Sequence, residues 1–261
     1  PCYPLDGNAR DYHRHLDLLT SGTVAYSTTR HLGAQAAEFS GGGYLHQGEN
    51  RCYSIGDGLR MWGWFRMDGT QATQGYVQNI VSLGGYVYQS SGGAPITMTG
   101  GGGIGYYNWG GGGCISSEQM AAAYQPSPSG GVNLYGRLGA WPSTDCGSPT
   151  SGPHWSFFHT TYTSTGTVTQ HGAEYQATMF TPIRGSKHPS FGTDKLFPVW
   201  IGGGGPDAKF NAGSTAYGGS TTGTSMVRID NVGFSTSITN YSAKATNLFN
   251  SGSGRACPAS T

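Results

Sequence analysis

LRMWGWFRM, residues Leu59 to Met67, alternates two sets of side chains with a period of two. Leu59, Met61, Gly63, Phe65 and Met67 fall on one face, and Arg60, Trp62, Trp64 and Arg66 fall on the other. A helix would bring apolar residues round every 3.6 positions, so this stretch reads as a strand. Moving outward, similar strand-like segments recur at Gly33 to Tyr44, Tyr76 to Val81, Gly85 to Tyr88, Trp155 to Tyr162, Tyr175 to Phe180, Phe197 to Ile201 and Ser225 to Phe234. Clusters of Gly, Ser, Asn and Pro separate them, which is the punctuation of a sandwich or barrel of short strands.

Helix signals are sparse. Cys114 to Tyr124 predicts one short helix, because Ser116 and Gln119 stand at capping-box spacing and Met120 to Ala123 favour helix. Ser242 to Phe249 predicts a second, with Ser242 as its cap. Four-glycine runs at Gly100–Gly103, Gly110–Gly113 and Gly202–Gly205 read either as flexible loops or as places of close backbone packing. The span from about Gln89 to Pro153, residues 89–153, reads as a Gly-rich irregular insertion on one domain that covers residues 1–261.

Charged residues make up 10% of the chain, against about 25% for an average soluble domain. The fourteen Lys and Arg are scattered, with no run of three, so the clustered positive charge that nucleic acid or an anionic membrane surface requires is missing. No apolar run reaches the length of a membrane-spanning helix, so no membrane insertion is expected. Aromatics at 12% and a net charge of +1 point to a folded chain rather than a disordered one. The sequence begins at Pro1 without an initiator Met, as a mature, processed or excised chain would. Five cysteines, Cys2, Cys52, Cys114, Cys146 and Cys257, form no C-x-x-C pair. Their wide spacing fits disulfides in an oxidising compartment, with buried thiols as the other reading.

Pieces in order along the chain carry a family likeness. They are YPLDGNARD (Tyr3–Asp11), LTSGTVAYSTTRHLGAQAAEFSGGGYL (Leu19–Leu45), LRMWGWFRMD (Leu59–Asp68), HWSFFHTTYTSTGTVTQHGAEYQATMF (His154–Phe180), FPVWIGGGG (Phe197–Gly205) and RIDNVGFSTSITNYSAKATNLFNSG (Arg228–Gly252). Together they resemble the laminin G-like/concanavalin A-like superfamily over about half the chain. The YHRHL that follows Asp11 and the middle section depart from that pattern. The resemblance implies an all-β, concanavalin A-like jelly-roll sandwich of two antiparallel sheets, with the first and last strands side by side. It therefore implies a Cys2–Cys257 bridge, which in the chain-entropy model contributes up to about 4–5 kcal/mol. Cys114–Cys146 is the next expected bridge, with Cys52 left over. The resemblance also implies a structural calcium (Ca2+) at Asp6, Asn8 and Asp11, joined by Asp230 from the closing strand, since calcium takes six to eight oxygen ligands. Asp6-Gly7-Asn8 reads equally as an ordinary turn.

Enzymatic glycoside cleavage needs a pair of carboxylates about the scissile bond. The four Glu, namely Glu38, Glu49, Glu118 and Glu174, have no acidic neighbour at the i+2 or i+4 spacing that would share a strand face. Sugar recognition needs aromatic faces and short polar groups instead. Tyr106, Tyr107, Asn108 and Trp109, held between two glycine runs, fit that chemistry, or else they pack an edge or a neighbouring subunit. Asn240-Tyr241-Ser242 is an N-glycosylation sequon. The expected role is a non-enzymatic module for glycan recognition or adhesion, extracellular or on a cell or virion surface. Its partners would be glycans, like subunits or other surface proteins. The alternatives are a structural subunit of a filament or virion and, third, a polysaccharide-cleaving enzyme.

Overall fold

The computed structural model describes residues 1–39, 43–47, 53–54, 58–68, 77–83, 101–108, 118–125, 133–138, 155–163, 168–174, 183–184, 196–197, 199–202 and 226–257. Strands dominate them. In order they are β1 (Cys2–Tyr3), β2 (Leu19–Ser21), β3 (Ala25–Ser27), β4 (Ala36–Phe39), β5 (Tyr44–His46), β6 (Tyr53–Ser54), β7 (Gly58–Asp68), β8 (Val77–Leu83) and β9 (Gly101–Asn108). They continue as β10 (Glu118–Gln125), β11 (Asn133–Leu138), β12 (Trp155–Thr163), β13 (Val168–Glu174), β14 (Ile183–Arg184), β15 (Leu196–Phe197), β16 (Val199–Ile201) and β17 (Met226–Ser235). One helix follows, α1 (Tyr241–Phe249).

The strands make two antiparallel sheets. The first runs β14-β13-β12-β7-β17-β4-β3, with β1 also paired to β17, and the second runs β11-β10-β9-β8-β16-β5-β2. A two-stranded ladder joins β15 to β6. Side chains from both sheets meet in a shared core. Phe39, Leu59, Met61, Phe65, Phe158, Ile229 and Phe234 come from the first sheet, and Leu45, Val81, Val199 and Ile201 come from the second. This is a β-sandwich whose apolar residues alternate inward along each strand.

The alternation read from LRMWGWFRM is realised, and both of its faces are buried. Leu59, Met61 and Phe65 enter the core between the sheets. Trp62 and Trp64 enter a second apolar cluster on the outer side of the first sheet, with Ala36, Trp155, Phe157, Leu248 and Phe249. That outer cluster is roofed by α1, whose buried residues Ala245, Leu248 and Phe249 form one i, i+3, i+4 stripe. The expected Ser242 cap is displaced by two residues. Asn240 takes the N-cap position in a left-handed conformation (φ 52°), and its carbonyl accepts the Lys244 N–H at 3.0 Å. A left-handed Asn250 stops the helix, and its side-chain amide donates to the Gly254 carbonyl.

First and last strands lie side by side, with Cys2 opposite Gly233 and Tyr3 opposite Val232. Cys2 and Cys257 form a disulfide with Cα atoms 5.7 Å apart, which ties the two ends of the described chain together. Cys52, Cys114 and Cys146 lie outside the described residues, as do the expected strands Gly85 to Tyr88 and Tyr175 to Phe180.

Two expectations are corrected. The Cys114 to Tyr124 stretch holds a strand, β10 from Glu118, where a helix was expected. Met120 to Ala123 favour helix in isolation, but they pair with the glycine-rich β9, Ala121 facing Gly105 and Ala123 facing Gly103. Cross-strand pairing overrides so weak a propensity. For the same reason the described part of the 89–153 span is regular. It supplies β9, β10 and β11, one end of the second sheet.

A bulge in β17 shapes the first sheet. Asp230 faces Trp64 and Gly233 faces Trp62, so two residues on β17 oppose Gly63 alone. The extra residue is absorbed by Asn231 at φ 49°. Gly63 is then crossed by neighbours, since a Cβ built there would lie 2.9 Å from Phe158 Cζ and 3.2 Å from Val232 Cγ2. Gly63→Ala should lower stability by about 1–3 kcal/mol through overpacking, measured by urea unfolding. The paired replacement Cys2→Ser and Cys257→Ser should cost about 2–5 kcal/mol in the same assay, matching the parent protein under reducing conditions.

Candidate functional site

The four oxygen donors expected to hold calcium are divided among separate backbone tasks. Asp6 Oδ1 accepts N–H groups from Ala34 at 2.6 Å and Gln35 at 2.8 Å, closing the turn at Gly33 (φ 62°). Asn8 Oδ1 accepts from Arg10, and its amide donates to the Asp6 carbonyl. Asp11 is buried and accepts the N–H groups of Cys2, His13 and His15 at 2.9–3.1 Å. Burial raises the Asp11 carboxyl, but the Cys2 and His13 N–H groups, the positive amino terminus and the His15 N–H outweigh it, leaving the group below its ordinary value. Asp6, Asn8 and Asp11 therefore build the amino-terminal turn. Among the described residues no group of three or more His, Cys, Asp or Glu is gathered to hold a metal ion.

Asp230 belongs to a different cluster, beneath α1. It is fully buried, and its Oδ2 accepts from His31 N at 2.9 Å and Leu32 N at 2.8 Å. Oδ1 accepts from the Asn231 amide at 2.7 Å, and Asn231 Oδ1 accepts from Cys257 N at 3.0 Å. The His31 ring stacks on Trp64 with centroids 3.7 Å apart. Burial raises the Asp230 carboxyl from 3.8 to about 6, against the N–H donors of Leu32 and His31 and the Asn231 amide, with the Asp6 carboxylate adding to the rise. Burial likewise lowers the His31 imidazole from 6.5 to about 4, against a hydrogen bond to the Gly252 backbone. The cluster fastens the 28–35 loop and the carboxyl-terminal segment to β17.

Of the aromatic set expected to bind glycans, Tyr106, Tyr107 and Asn108 end β9 in the second sheet. They stand opposite Met120, Gln119 and Glu118 of β10. Trp109 lies outside the described residues, and Asn240 of the sequon is exposed at the start of α1.

The same sheet carries an aromatic cluster that sequence reasoning passed over. Val199 and Ile201 point into the core, so Trp200 between them points away from it. Leu45 points into the core, so Tyr44 and His46 also point away. His46 faces Trp200 in the ladder. Their rings stack with centroids 5.4 Å apart and planes 17° apart, and Tyr44 lies 5.2 Å from Trp200 and 5.3 Å from His46. Leu19 of β2, opposite His46, is 56% exposed and extends the row to the sheet edge.

Gln47 fixes this geometry. Its N–H donates to the Val199 carbonyl at 3.1 Å, and its side-chain Oε1 accepts the Val199 N–H at 3.0 Å. The side chain thus continues the β5–β16 ladder for one more step and holds His46 against Trp200. His46 Nδ1 lies 2.8 Å from the Gln47 carbonyl. A carbonyl can only accept, so Nδ1 carries the proton and Nε2 of the neutral ring is an acceptor. The signal in the sequence was the alternation itself: Tyr-Leu-His and Val-Trp-Ile each place an aromatic or imidazole ring opposite to a core residue.

No family model and no curated protein matches this chain. Solved structures share its fold. The binding domain of botulinum neurotoxin serotype C1 matches with a TM-score of 0.57 and 12% identity, over 91% of this chain and 48% of that one. The binding domain of botulinum neurotoxin DC in complex with SialylT gives 0.54 and 12%, over 96% and 50%. The binding domain of Paraclostridial Mosquitocidal Protein 1 gives 0.53 and 12%, over 93% and 49%. The chain spans about half the length of the structures that it matches. At this identity the likeness is one of fold.

The buried pair Asp230 and His31 yields a pH test. Asp230 holds its proton more tightly folded than unfolded, so its contribution is present below pH 3.8 and is lost as pH rises through about 6. His31 holds its proton less tightly, so its contribution is present above pH 6.5 and is lost as pH falls towards about 4. The two slopes oppose each other in the overlapping range. Asp230→Asn should therefore steepen the loss of stability on acidification from pH 6.5 to about 4, read as urea midpoints across that range. A slope no steeper than that of the parent protein would contradict this linkage.

Proposed function

We propose that this chain is a non-enzymatic carbohydrate-recognition module, of the jelly-roll kind that its sequence resembles, working outside the cell or on a particle surface. The observation that carries the reading is the Tyr44–His46–Trp200 cluster on the outer side of the second sheet. The part-exposed Trp200 and His46 rings offer apolar contact to the C–H face of a pyranose, with the buried Tyr44 packed against both, and the His46 Nε2 acceptor beside them suits a hydroxyl donor. Tyr106 to Asn108 belong to the same sheet. Tyr107 stands four residues along β9 from Gly103, about 13 Å, and Gly103 pairs with Ser82, which pairs with Trp200. A saccharide of several units could reach from one group to the other.

Binding is also what the similar structures are described as doing. One is a complex with SialylT, and another comes from botulinum neurotoxin type C, whose cell entry depends on interaction with two ganglioside molecules. A third is bound to rat synaptotagmin II, so a protein partner also fits the same fold. These support recognition over catalysis for this chain.

A glycan array with the purified chain tests the reading. Saturable binding to a subset of saccharides is expected. Trp200→Ala should weaken it by about tenfold, the scale of one lost aromatic stacking contact. Trp109→Ala should have the smaller effect if the Tyr44–His46–Trp200 cluster is the principal contact. Unchanged binding by Trp200→Ala would move the site elsewhere.

A further inference from the structure

We infer that Asn240 carries an N-linked oligosaccharide, placed on the side of the sandwich opposite to Trp200. The modification itself does not depend on what the second sheet binds.

Asn240-Tyr241-Ser242 is the only Asn-x-Ser/Thr sequence in the chain. The structure sets it where β17 turns into α1, with Thr239, Asn240 and Ser242 all exposed. The residues that α1 buries are Ala245, Leu248 and Phe249, so the helix docks through side chains other than those of Asn240 and Ser242. A bulky polar chain on Asn240 therefore displaces none of the apolar contacts that hold α1 on the first sheet.

The Asn240 amide is also left unspent by the helix that it starts. An Asn at a helix start ordinarily sits in extended backbone, and its side-chain oxygen accepts an N–H of the first turn. Asn240 is left-handed instead (φ 52°, ψ 34°), and its side chain makes no capping hydrogen bond. Its backbone does the work, the carbonyl accepting the Lys244 N–H at 3.0 Å. Asn250 at the other end of α1 is left-handed as well (φ 47°), but its amide donates to the Gly254 carbonyl at 3.0 Å. Left-handed geometry explains why position 240 favours Asn or Gly. It does not explain an amide held in solvent two residues before an exposed Ser.

The Cys2–Cys257 disulfide belongs to an oxidising compartment, and the secretory lumen that forms such bonds is where Asn side chains receive oligosaccharides. The donor class is a lipid diphosphate-linked oligosaccharide, used by the transferase of that lumen. A bond forms from Asn240 Nδ2 to C1 of the first sugar as the C1–O bond to the diphosphate breaks. The lipid diphosphate leaves with the electron pair, and Nδ2 gives up one proton. Because α1 covers the outer side of the first sheet and Trp200 points outward from the second, the product lies across the sandwich from the aromatic cluster. Packed sheets stand about 10 Å apart, which separates the two surfaces further.

Secretion of the full chain from a eukaryotic cell line, read by peptide mass mapping, tests the inference. Expected is a glycopeptide containing Asn240, from which peptide N-glycosidase removes the oligosaccharide and leaves a carboxylate in place of the amide. Asn240→Gly should lose the modification while keeping the left-handed turn. Ser242→Ala should lose it with Asn240 intact, and Ser242→Thr should keep it. The Cys2–Cys257 disulfide in the same map reports that each variant is folded. An unmodified Asn240 in the secreted, disulfide-bonded parent would overturn the inference, as would full modification of Ser242→Ala. On the glycan array, chains with and without the oligosaccharide should bind alike. Binding by the enzyme-treated chain alone would overturn the placement. Absence of binding by either would overturn the carbohydrate reading and leave the glycosylated Asn240 standing.

Discussion

Both faces of β7 exclude water, and the rest of the first sheet is arranged around that requirement. A strand with Leu59, Met61 and Phe65 on one side and Trp62 and Trp64 on the other needs two covers. The second sheet supplies the inner one. α1 and the segment ending at Cys257 supply the outer one, laying Phe249 over Trp64 with centroids 5.9 Å apart. A buried tryptophan removes about 150–250 Å² from water, worth about 4–6 kcal/mol before ordering costs. Docking a nine-residue helix and its tail loses chain entropy of about 1–2 kcal/mol per residue, more than one buried tryptophan offsets. The Cys2–Cys257 bond and the Asn231–Cys257 hydrogen bond help to hold the cover in place.

The bulge in β17 links these covers to the termini. Without the additional residue between Asp230 and Gly233, the strand would hold one register along all of β7. With it, Asn231 turns at positive φ, its oxygen meets Cys257, and Asp230 meets the N–H groups of His31 and Leu32. Gly233 is required opposite Trp62 because the indole lies directly across its backbone. Asp6, Asp11 and Asp230 each accept backbone N–H groups. Asp11 does for the amino terminus what Asp230 does for the carboxyl-terminal segment. In a chain with so few charges, each buried carboxylate has a backbone task.

Much of this was legible in the sequence wherever a local period was strong. Leu59 to Met67 read as a strand because its alternation is unbroken, and Trp155 to Tyr162 and Ser225 to Phe234, read as strands between turn-rich clusters, pair with it as neighbours in one sheet. α1 read as a helix over Ser242 to Phe249, one residue short at its start, although the cap it was read from is replaced by Asn240. β9 and β10 did not read as strands. Glycine has no face to alternate, and Met120 to Ala123 favour helix until β9 is beside them. The aromatic cluster was invisible for another reason. Gln47 and Val199, which hold it, are 152 residues apart, so no local window contains the site.

The two outer surfaces of the sandwich differ in what their described side chains contact. On the first sheet, the outward residues are consumed by stability. Trp62 and Trp64 lie under the helix, Arg228 pairs with Glu38 at 2.9 Å, and Arg60 lies 4.9 Å from the Trp62 ring centre. A ligand arriving there would compete with contacts on which the core depends. On the second sheet, the described outward rings are Tyr44, His46 and Trp200; His46 stacks on Trp200, the buried Tyr44 is tilted against both, and the row ends at exposed Leu19. Their scaffold is the β5–β16 ladder, extended by the Gln47 side chain and anchored from behind by Leu45, Val199 and Ile201 in the core. An aromatic row backed in this way by a packed core is held in place before any partner arrives, which is the condition under which contact area is gained with little reorganisation.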